Sequence, residues 1–372
     1  MKKSIKLLAL SILSSCAVSC TSTANQGFTV DFQLDEIPDC SFFVSEKVPN
    51  PGSWFKDTLE LKDGKATYKG KVDCPRLTNF YFAKGQYIYG TIEVFLDNSK
   101  NIKITGKDVK EAVVTGCKTN DEYQTLYESL APYLDNLKKI SAKTSAAFRE
   151  NEDASVIDNL KEEKKLAQLK MLEYLLQTPG YANSEICPYI VYSHFMNSTE
   201  MLDMALDKVD PSLKDNVYIK ELSDELSRQK RVAIGKQAYN FCMKDIHGKE
   251  YKLEDYRGKY VLVEFSSSWC GWCKKEIPFL KKVYEEHKGN KDFVMLTINM
   301  DDIKEKWVED VEKENLPWPV ISDLQAFKGE TAQAFNIHGI PMIFLIDKEG
   351  KILQKELRGE DMVLKVKETL KK

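Results

Sequence analysis

A strongly apolar hexapeptide, Tyr260-Val261-Leu262-Val263-Glu264-Phe265, runs directly into Ser266-Ser267-Ser268-Trp269-Cys270-Gly271-Trp272-Cys273-Lys274-Lys275-Glu276-Ile277-Pro278. The first stretch reads as a buried strand, and the second as a turn that opens a helix. Two residues between the cysteines put their sulfurs one helical turn apart, within reach of a disulfide of about 2.05 Å. Cys270, at the start of the helix, meets unpaired backbone N–H groups and the positive end of the helix dipole. Both favour the thiolate, the form that attacks a disulfide. Cys273, one turn deeper, is placed to resolve the mixed disulfide. Gly271 and Trp272 at the strand-to-helix turn put the pair at a surface tip, which argues against two inert core cysteines. A zinc site would need a second Cys-x-x-Cys or a His pair at ligand spacing, and nine cysteines and four histidines supply neither, so no metal is expected.

Downstream, Phe335-Asn336-Ile337-His338-Gly339-Ile340-Pro341-Met342-Ile343-Phe344-Leu345-Ile346-Asp347 is a second buried-looking strand opened by a proline. Pro341 cannot donate to a ladder and is a candidate cis peptide that turns the Ile340 backbone toward a substrate chain. Lys348-Glu349-Gly350-Lys351 then makes a hairpin turn into Ile352-Leu353. Proton transfer in thiol exchange needs an acid or base near the buried sulfur, and two carboxylates are candidates. Glu264 interrupts the apolar strand, where burial should raise its pKa. Glu276 stands three residues beyond Cys273, with a solvated helix carboxylate as the lesser alternative.

These residues resemble the thioredoxin superfamily, in its TlpA/ResA-like branch. The likeness covers residues 235–372. It rests on Trp269-Cys270-Gly271-Trp272-Cys273, on Lys274-Lys275-Glu276-Ile277-Pro278, on Gly339-Ile340-Pro341, and on a lead-in Phe241-Cys242-Met243-Lys244-Asp245-Ile246-His247-Gly248-Lys249 similar to that family's opening β-hairpin. The resemblance implies Cys270 as nucleophile, Cys273 as resolving cysteine and Pro341 as the cis-proline. It further implies Glu264 as the buried acid that takes the proton from Cys273, and Glu276 as a carboxylate that tunes the same pair. Trp269, Trp272, Ile340 and Pro341 are the candidate substrate-binding residues. The implied activity is thiol:disulfide exchange on protein disulfides with no cofactor beyond the redox-active Cys270–Cys273 disulfide, and with a membrane protein as electron donor. Gly-Trp between the cysteines, Met342 after the proline and Tyr239 in the lead-in depart from the family's usual residues, and redox potential and partner choice depend on such positions.

The amino terminus decides where this chemistry is expected. Met1-Lys2-Lys3-Ser4-Ile5-Lys6 is a basic start, and the apolar run from Leu7 to Leu13 is too short to span a bilayer, for which about 20 residues are needed. Leu13-Ser14-Ser15-Cys16 fits a lipobox, and Ala17-Val18-Ser19-Cys20 is a poorer fit that leaves a more comfortable apolar run, so residues 1–20 read as a lipoprotein signal with Cys16 or Cys20 lipidated. Plain secretion is the alternative. A polar tether without an acidic run follows, and the expected location is the cell envelope, lipid-anchored and facing the periplasm.

Residues 27–117 alternate polar and apolar in short strands, with Asp63-Gly64 as a hairpin turn, and imply a sandwich or barrel. They resemble a β domain of unassigned role found ahead of TlpA-like thioredoxins in Bacteroidota-type lipoproteins. Residues 119–232 switch to a helical period. Leu126, Leu130, Tyr133, Leu134 and Leu137 form one stripe, and Ile157, Leu160, Ala167, Met171 and Leu175 another. Thr178-Pro179-Gly180 should stop the second helix, and Asp210-Pro211 should cap a later one running toward Arg231. The expected chain is thus multidomain: an all-β sandwich-like domain, a helical middle segment and a C-terminal α/β thioredoxin fold. Cys40, Cys74, Cys117, Cys187 and Cys242 remain, with Cys40–Cys74 a conceivable bridge. A net charge of −3 and no clustered basic stripe give no support for nucleic-acid binding. The reading is an exported reductase of protein disulfides. Its alternatives are a disulfide oxidase or isomerase, and a partner-binding lipoprotein with incidental redox activity.

Overall fold

The computed structural model describes residues 27–48, 56–150, 152 and 154–371. Residues 1–20, expected to be a lipoprotein signal with Cys16 or Cys20 lipidated, lie outside the described residues, as does most of the polar stretch after them. Among the described residues no helix is long and apolar enough to cross a membrane. The chain divides into two compact units, one ending at Glu122 and one beginning at Tyr123.

The first unit contains β1 (Phe28–Leu34), β2 (Cys40–Glu46), β3 (Asp57–Leu61), β4 (Lys65–Gly70), β5 (Arg76–Lys84), β6 (Tyr87–Leu96), β7 (Ile102–Gly106) and β8 (Val113–Thr115). They form two four-stranded sheets, ordered β4-β1-β7-β8 and β3-β2-β5-β6. In β1 every second side chain is buried, Phe28, Val30, Phe32 and Leu34, as a strand with one face on a core requires. Phe32 of the first sheet meets Phe42, Phe80 and Phe82 of the second with ring centroids 5.0, 5.1 and 5.9 Å apart, so the architecture is a sandwich.

Two expectations need correction here. Asp63 and Gly64 do form a tight turn, with φ of 47° and 70° and paired backbone hydrogen bonds between Lys62 and Lys65. The ladder stops at that one bridge, because β3 pairs with β2 while β4 pairs with β1 in the other sheet. The turn therefore connects the two sheets of the sandwich. The Cys40–Cys74 bridge is absent, and both thiols are free. Ser41 pairs with Ala83 near the end of β5, whereas Cys74 precedes the start of β5 at Arg76. At about 3.3 Å per strand residue the length of β5 separates them by more than 20 Å, far beyond the roughly 7 Å Cα limit for a disulfide.

The second unit opens with helices α1 (Lys118–Glu150, most of which belongs here), α2 (Ala154–Gln177), α3 (Cys187–Phe195), α4 (Thr199–Leu206) and α5 (Val217–Arg231). The stripes pack as amphipathic faces do. Leu130 of the first stripe and Ala167, Met171 and Leu175 of the second are buried and their other members half-buried, and Tyr133 meets Tyr174 at 5.2 Å. The helix-stop signal at Thr178-Pro179-Gly180 coincides with the end of α2. Asp210-Pro211 caps only a 3-10 turn, Pro211–Leu213, and α5 has its own cap, Asn216, whose side chain accepts from Tyr218 N and Ile219 N. The expected single helix is thus a capped turn followed by a separately capped helix.

The remainder is a seven-stranded sheet with helices. It comprises β9 (Cys242–Asp245), β10 (Glu250–Lys252), β11 (Tyr260–Ser266), α6 (Gly271–His287), β12 (Phe293–Asn299), α7 (Lys304–Glu314), β13 (Val320–Ser322), α8 (Glu330–Ala334), β14 (Met342–Ile346), β15 (Ile352–Lys355) and α9 (Gly359–Leu370). The order is β10-β9-β13-β12-β11-β14-β15, with β11, β12 and β13 parallel and β14 antiparallel to β11. This is a thioredoxin fold. Val261, Val263 and Phe265 of β11 face one core, with Phe335, Phe344 and Leu296. Leu262 faces the other, with Leu280 and Val283 of α6 and Met362, Val363 and Val366 of α9. Period two then places Glu264 on the face covered by α6 and α9.

Candidate active site

Cys270 and Cys273 are joined, with sulfurs 2.06 Å apart. The loop between β11 and α6 is short, and Cys270 itself caps α6, its sulfur accepting from Cys273 N at 3.1 Å. Cys273, Ile277, Leu280 and Val283 form the buried stripe of α6, so the second cysteine occupies the first position of a core-facing face. The pair accordingly lies beneath the surface. Cys270 is 5% exposed and Cys273 0%, while Trp269 and Trp272 beside them are 58% and 57% exposed. The expected surface tip is therefore made of indoles, with the sulfurs tucked behind it. Trp269 packs toward Phe327 at 6.4 Å, and the Lys275 ammonium sits 4.4 Å over the Trp272 ring.

Ile340-Pro341 is a cis peptide. Phe265 pairs with Met342 in the β11–β14 ladder, and continuing that antiparallel register sets Pro341 beside Ser266, where the strand gives way to the Trp-Cys turn. Pro341 is buried and Ile340 half-buried. The four candidate substrate-binding residues thus belong to two segments that meet at one end of β11.

Glu264 is 1% exposed. Its Oε2 accepts from Thr297 Oγ1 at 2.9 Å, and that hydroxyl in turn accepts from Trp318 Nε1 at 3.0 Å. Its Oε1 is buried with no hydrogen-bond partner among the described residues. Burial pushes the carboxyl up to about 7, the Glu276 charge adds to the rise, and Thr297, Lys274 and Arg358 oppose it. A carboxyl with that value can hold or release a proton near neutrality. Glu276 is half-buried, and its Oε2 accepts from Gly359 N at 2.8 Å. It thereby caps the start of α9 and ties it to the cysteine helix, which replaces the reading of a free solvated carboxylate.

Residues 234–355 match the AhpC/TSA family, and residues 22–123 match a domain of unknown function, DUF4369. The thiol-disulfide oxidoreductase ResA of Bacillus cereus is 34% identical over 146 residues, which cover 39% of this chain and 82% of that protein. The chain belongs to the ResA-like thiol-disulfide oxidoreductases. ResA of Geobacillus kaustophilus is 33% identical over 123 residues, covering 33% of this chain and 68% of that one. The solved thioredoxin domain of a thiol-disulfide oxidoreductase from Bacteroides vulgatus is 35% identical and covers 37% of this chain and 97% of its own, with a TM-score of 0.35.

In this ResA-like chain two further residues shape the site. Asp301 is 1% exposed and accepts from Ser267 Oγ at 2.9 Å, Ser268 N at 3.0 Å and Ser268 Oγ at 2.8 Å. It braces the loop that ends in Trp269-Cys270, and Cys270 N donates to Ser267 O at 3.2 Å. Arg358 donates to Leu357 O at 2.7 Å and to Pro341 O, linking the cis-proline to the start of α9. Burial pulls the Arg358 guanidinium below its usual range, against the pull of Glu276, Glu356 and Glu264. The signal for Asp301 is its place just beyond the carboxyl end of a parallel strand, where site residues of α/β sheets gather.

Proposed function

We propose that this thiol-disulfide oxidoreductase reduces protein disulfides in the cell envelope, held there by a lipid on Cys16 or Cys20. The reaction is carried by a Cys270 that caps α6 in a disulfide with Cys273, above a sheet face on which Glu264 is buried with its carboxyl raised to about 7. In the dithiol form the Cys270 thiolate attacks one sulfur of a substrate disulfide, a Cys270–substrate bond forms, and the other substrate sulfur leaves as a thiolate that takes a proton from water. Glu264, ionised, accepts the Cys273 proton. The Cys273 thiolate then attacks Cys270 Sγ, closing the Cys270–Cys273 disulfide and releasing the second substrate thiolate. That thiolate also takes its proton from water, and Glu264 gives up the Cys273 proton to water, so two electrons pass from the dithiol to the substrate while the protons exchange through solvent. A donor dithiol must restore the enzyme, and a membrane protein fed from the cytoplasm fits that need. The dithiol is the only redox group this cycle uses.

Export and anchoring are supported by the basic start, the short apolar run and the two lipobox-like stretches. Cys16→Ser and Cys20→Ser should differ in incorporation of labelled fatty acid, the lipidated position being the one whose loss abolishes it. For the direction of electron flow, the Cys270–Cys273 potential is measured by equilibration with thiol buffers. A value near about −270 mV supports a reductase, and one near about −120 mV makes the protein an oxidant. Cys270→Ser should abolish insulin reduction, and activity surviving in it would refute the nucleophile.

A further inference from the structure

We infer that α5 positions the substrate-binding loop of the redox site, through the buried carboxylate of Glu225. This rests on the reading that a substrate chain docks along Ile340-Pro341. Helix α5 buries Tyr218, Ile219, Leu222, Glu225 and Gln229, so a carboxylate and an amide stand in an otherwise apolar stripe. Glu225 is 4% exposed. Its Oε1 accepts from Asn336 Nδ2 at 3.0 Å and Gln229 Nε2 at 2.7 Å. Its Oε2 accepts from Arg228 Nε at 2.9 Å and lies 3.4 Å from His338 Nε2. Burial pushes this carboxyl up, but the hydrogen bonds from Asn336, Gln229 and Arg228 outweigh it and hold it below the usual carboxylate range. The charge is thus kept, and with it the strength of the bonds.

Asn336 is in the left-handed region, φ 54°, and His338 Nε2 lies 3.0 Å from Asn336 Oδ1. Among the described residues the N–H groups of His338, Gly339 and Ile340 make no backbone hydrogen bond. Side chains therefore fix this stretch at both ends, Glu225 at Asn336 and His338, and Arg358 at Pro341. Glu225 is in turn anchored, because Gln229 accepts from Thr199 of α4 at 2.8 Å. The helical segment is then a part of the redox site that sets where the docking edge lies, without touching the sulfurs.

The test is insulin reduction by the full chain at varied insulin concentration. Glu225→Ala should raise KM by about tenfold, the loss expected for a hydrogen bond to a charged group, with kcat within about twofold. Glu225→Gln keeps an acceptor for Asn336 but loses the charge and the acceptor for Arg228, so its KM should fall between those of wild type and Glu225→Ala. Asn336→Gly removes the other half of the tie while suiting the left-handed backbone; it should reproduce the Glu225→Ala value, and the double variant should be no worse than either. Should Glu225→Ala fail to fold, Asn336→Gly and Glu225→Gln decide the matter. Unchanged KM in Asn336→Gly, or a KM rise accompanied in each variant by comparable losses of kcat and thermal stability, would overturn the tether. Pro341→Ala reports on the docking edge itself. If its KM rises while those of the tether variants do not, only the tether fails, and if its KM is unchanged the docking reading fails with it.

Discussion

Replacing Glu264 by Gln should change how the stability of the oxidised chain depends on pH, by an amount the structure sets. Burial, with a further push from Glu276, raises the carboxyl from its ordinary 4.5 to about 7. Each pKa unit is worth about 1.4 kcal/mol, so the difference between folded and unfolded chains amounts to about 3 kcal/mol. The sign follows from which state ionises first. Below the unfolded value the carboxyl is neutral in both states and no penalty exists. Between that value and about 7 the unfolded chain ionises while the folded chain stays protonated, so stability falls as pH rises, and the loss is complete above about 7. Glutamine does not titrate. Its Oε1 can accept from Thr297, but its Nε2 occupies a place with no partner, at a cost of about 1–3 kcal/mol that is the same at every pH. The stability of the variant minus that of wild type should therefore rise by about 3 kcal/mol between pH 4 and pH 8, whatever its absolute level. Urea unfolding followed by tryptophan fluorescence measures it, since four of the five tryptophans, Trp269, Trp272, Trp307 and Trp318, lie in the second unit. A difference that stays flat, or falls, across that range would refute a protonated Glu264 in the folded state.

Glu276→Gln keeps an acceptor for Gly359 N and removes only the charge that adds to the rise of Glu264. The Glu264 carboxyl carbon, followed by NMR, should then titrate at lower pH than in wild type, and a midpoint that stays or rises would contradict that coupling. Asp301→Ala strips the acceptor from Ser267 Oγ, Ser268 Oγ and Ser268 N. The expected loss is about 2–4 kcal/mol in urea unfolding, and a loss below about 0.5 kcal/mol would show that the loop holds itself.

What was legible in the sequence, and what was not, follows from how far apart the interacting residues stand. The strand, the cysteines and the Gly-Ile-Pro segment each announce themselves within a dozen residues, and the fold brings those local patterns to one end of β11. Asp63-Gly64 shows the limit of such reading. The turn chemistry dictates left-handed backbone at both residues and obtains it, yet it says nothing about which sheet each strand joins. At Asp210-Pro211 and Asn216 two capping residues stand close together, and propensity alone does not decide which starts the longer helix. Buried carboxylates make the sharper contrast. Glu264 and Glu225 carry the same signal, a charge in the register of an apolar face. In β11 the face is plain, because Leu262 precedes Glu264 on it and Val263 and Phe265 on either side are apolar and buried as well. In α5 the face recurs every three to four residues among Lys, Arg, Asp and Glu, and a carboxylate on it resembles the solvated surface around it until Asn336, more than a hundred residues away, supplies its partner. A polar residue at a stripe position of a charged helix is therefore the pattern to test against distant loops, and here that test leads from the helical segment to the cis-proline.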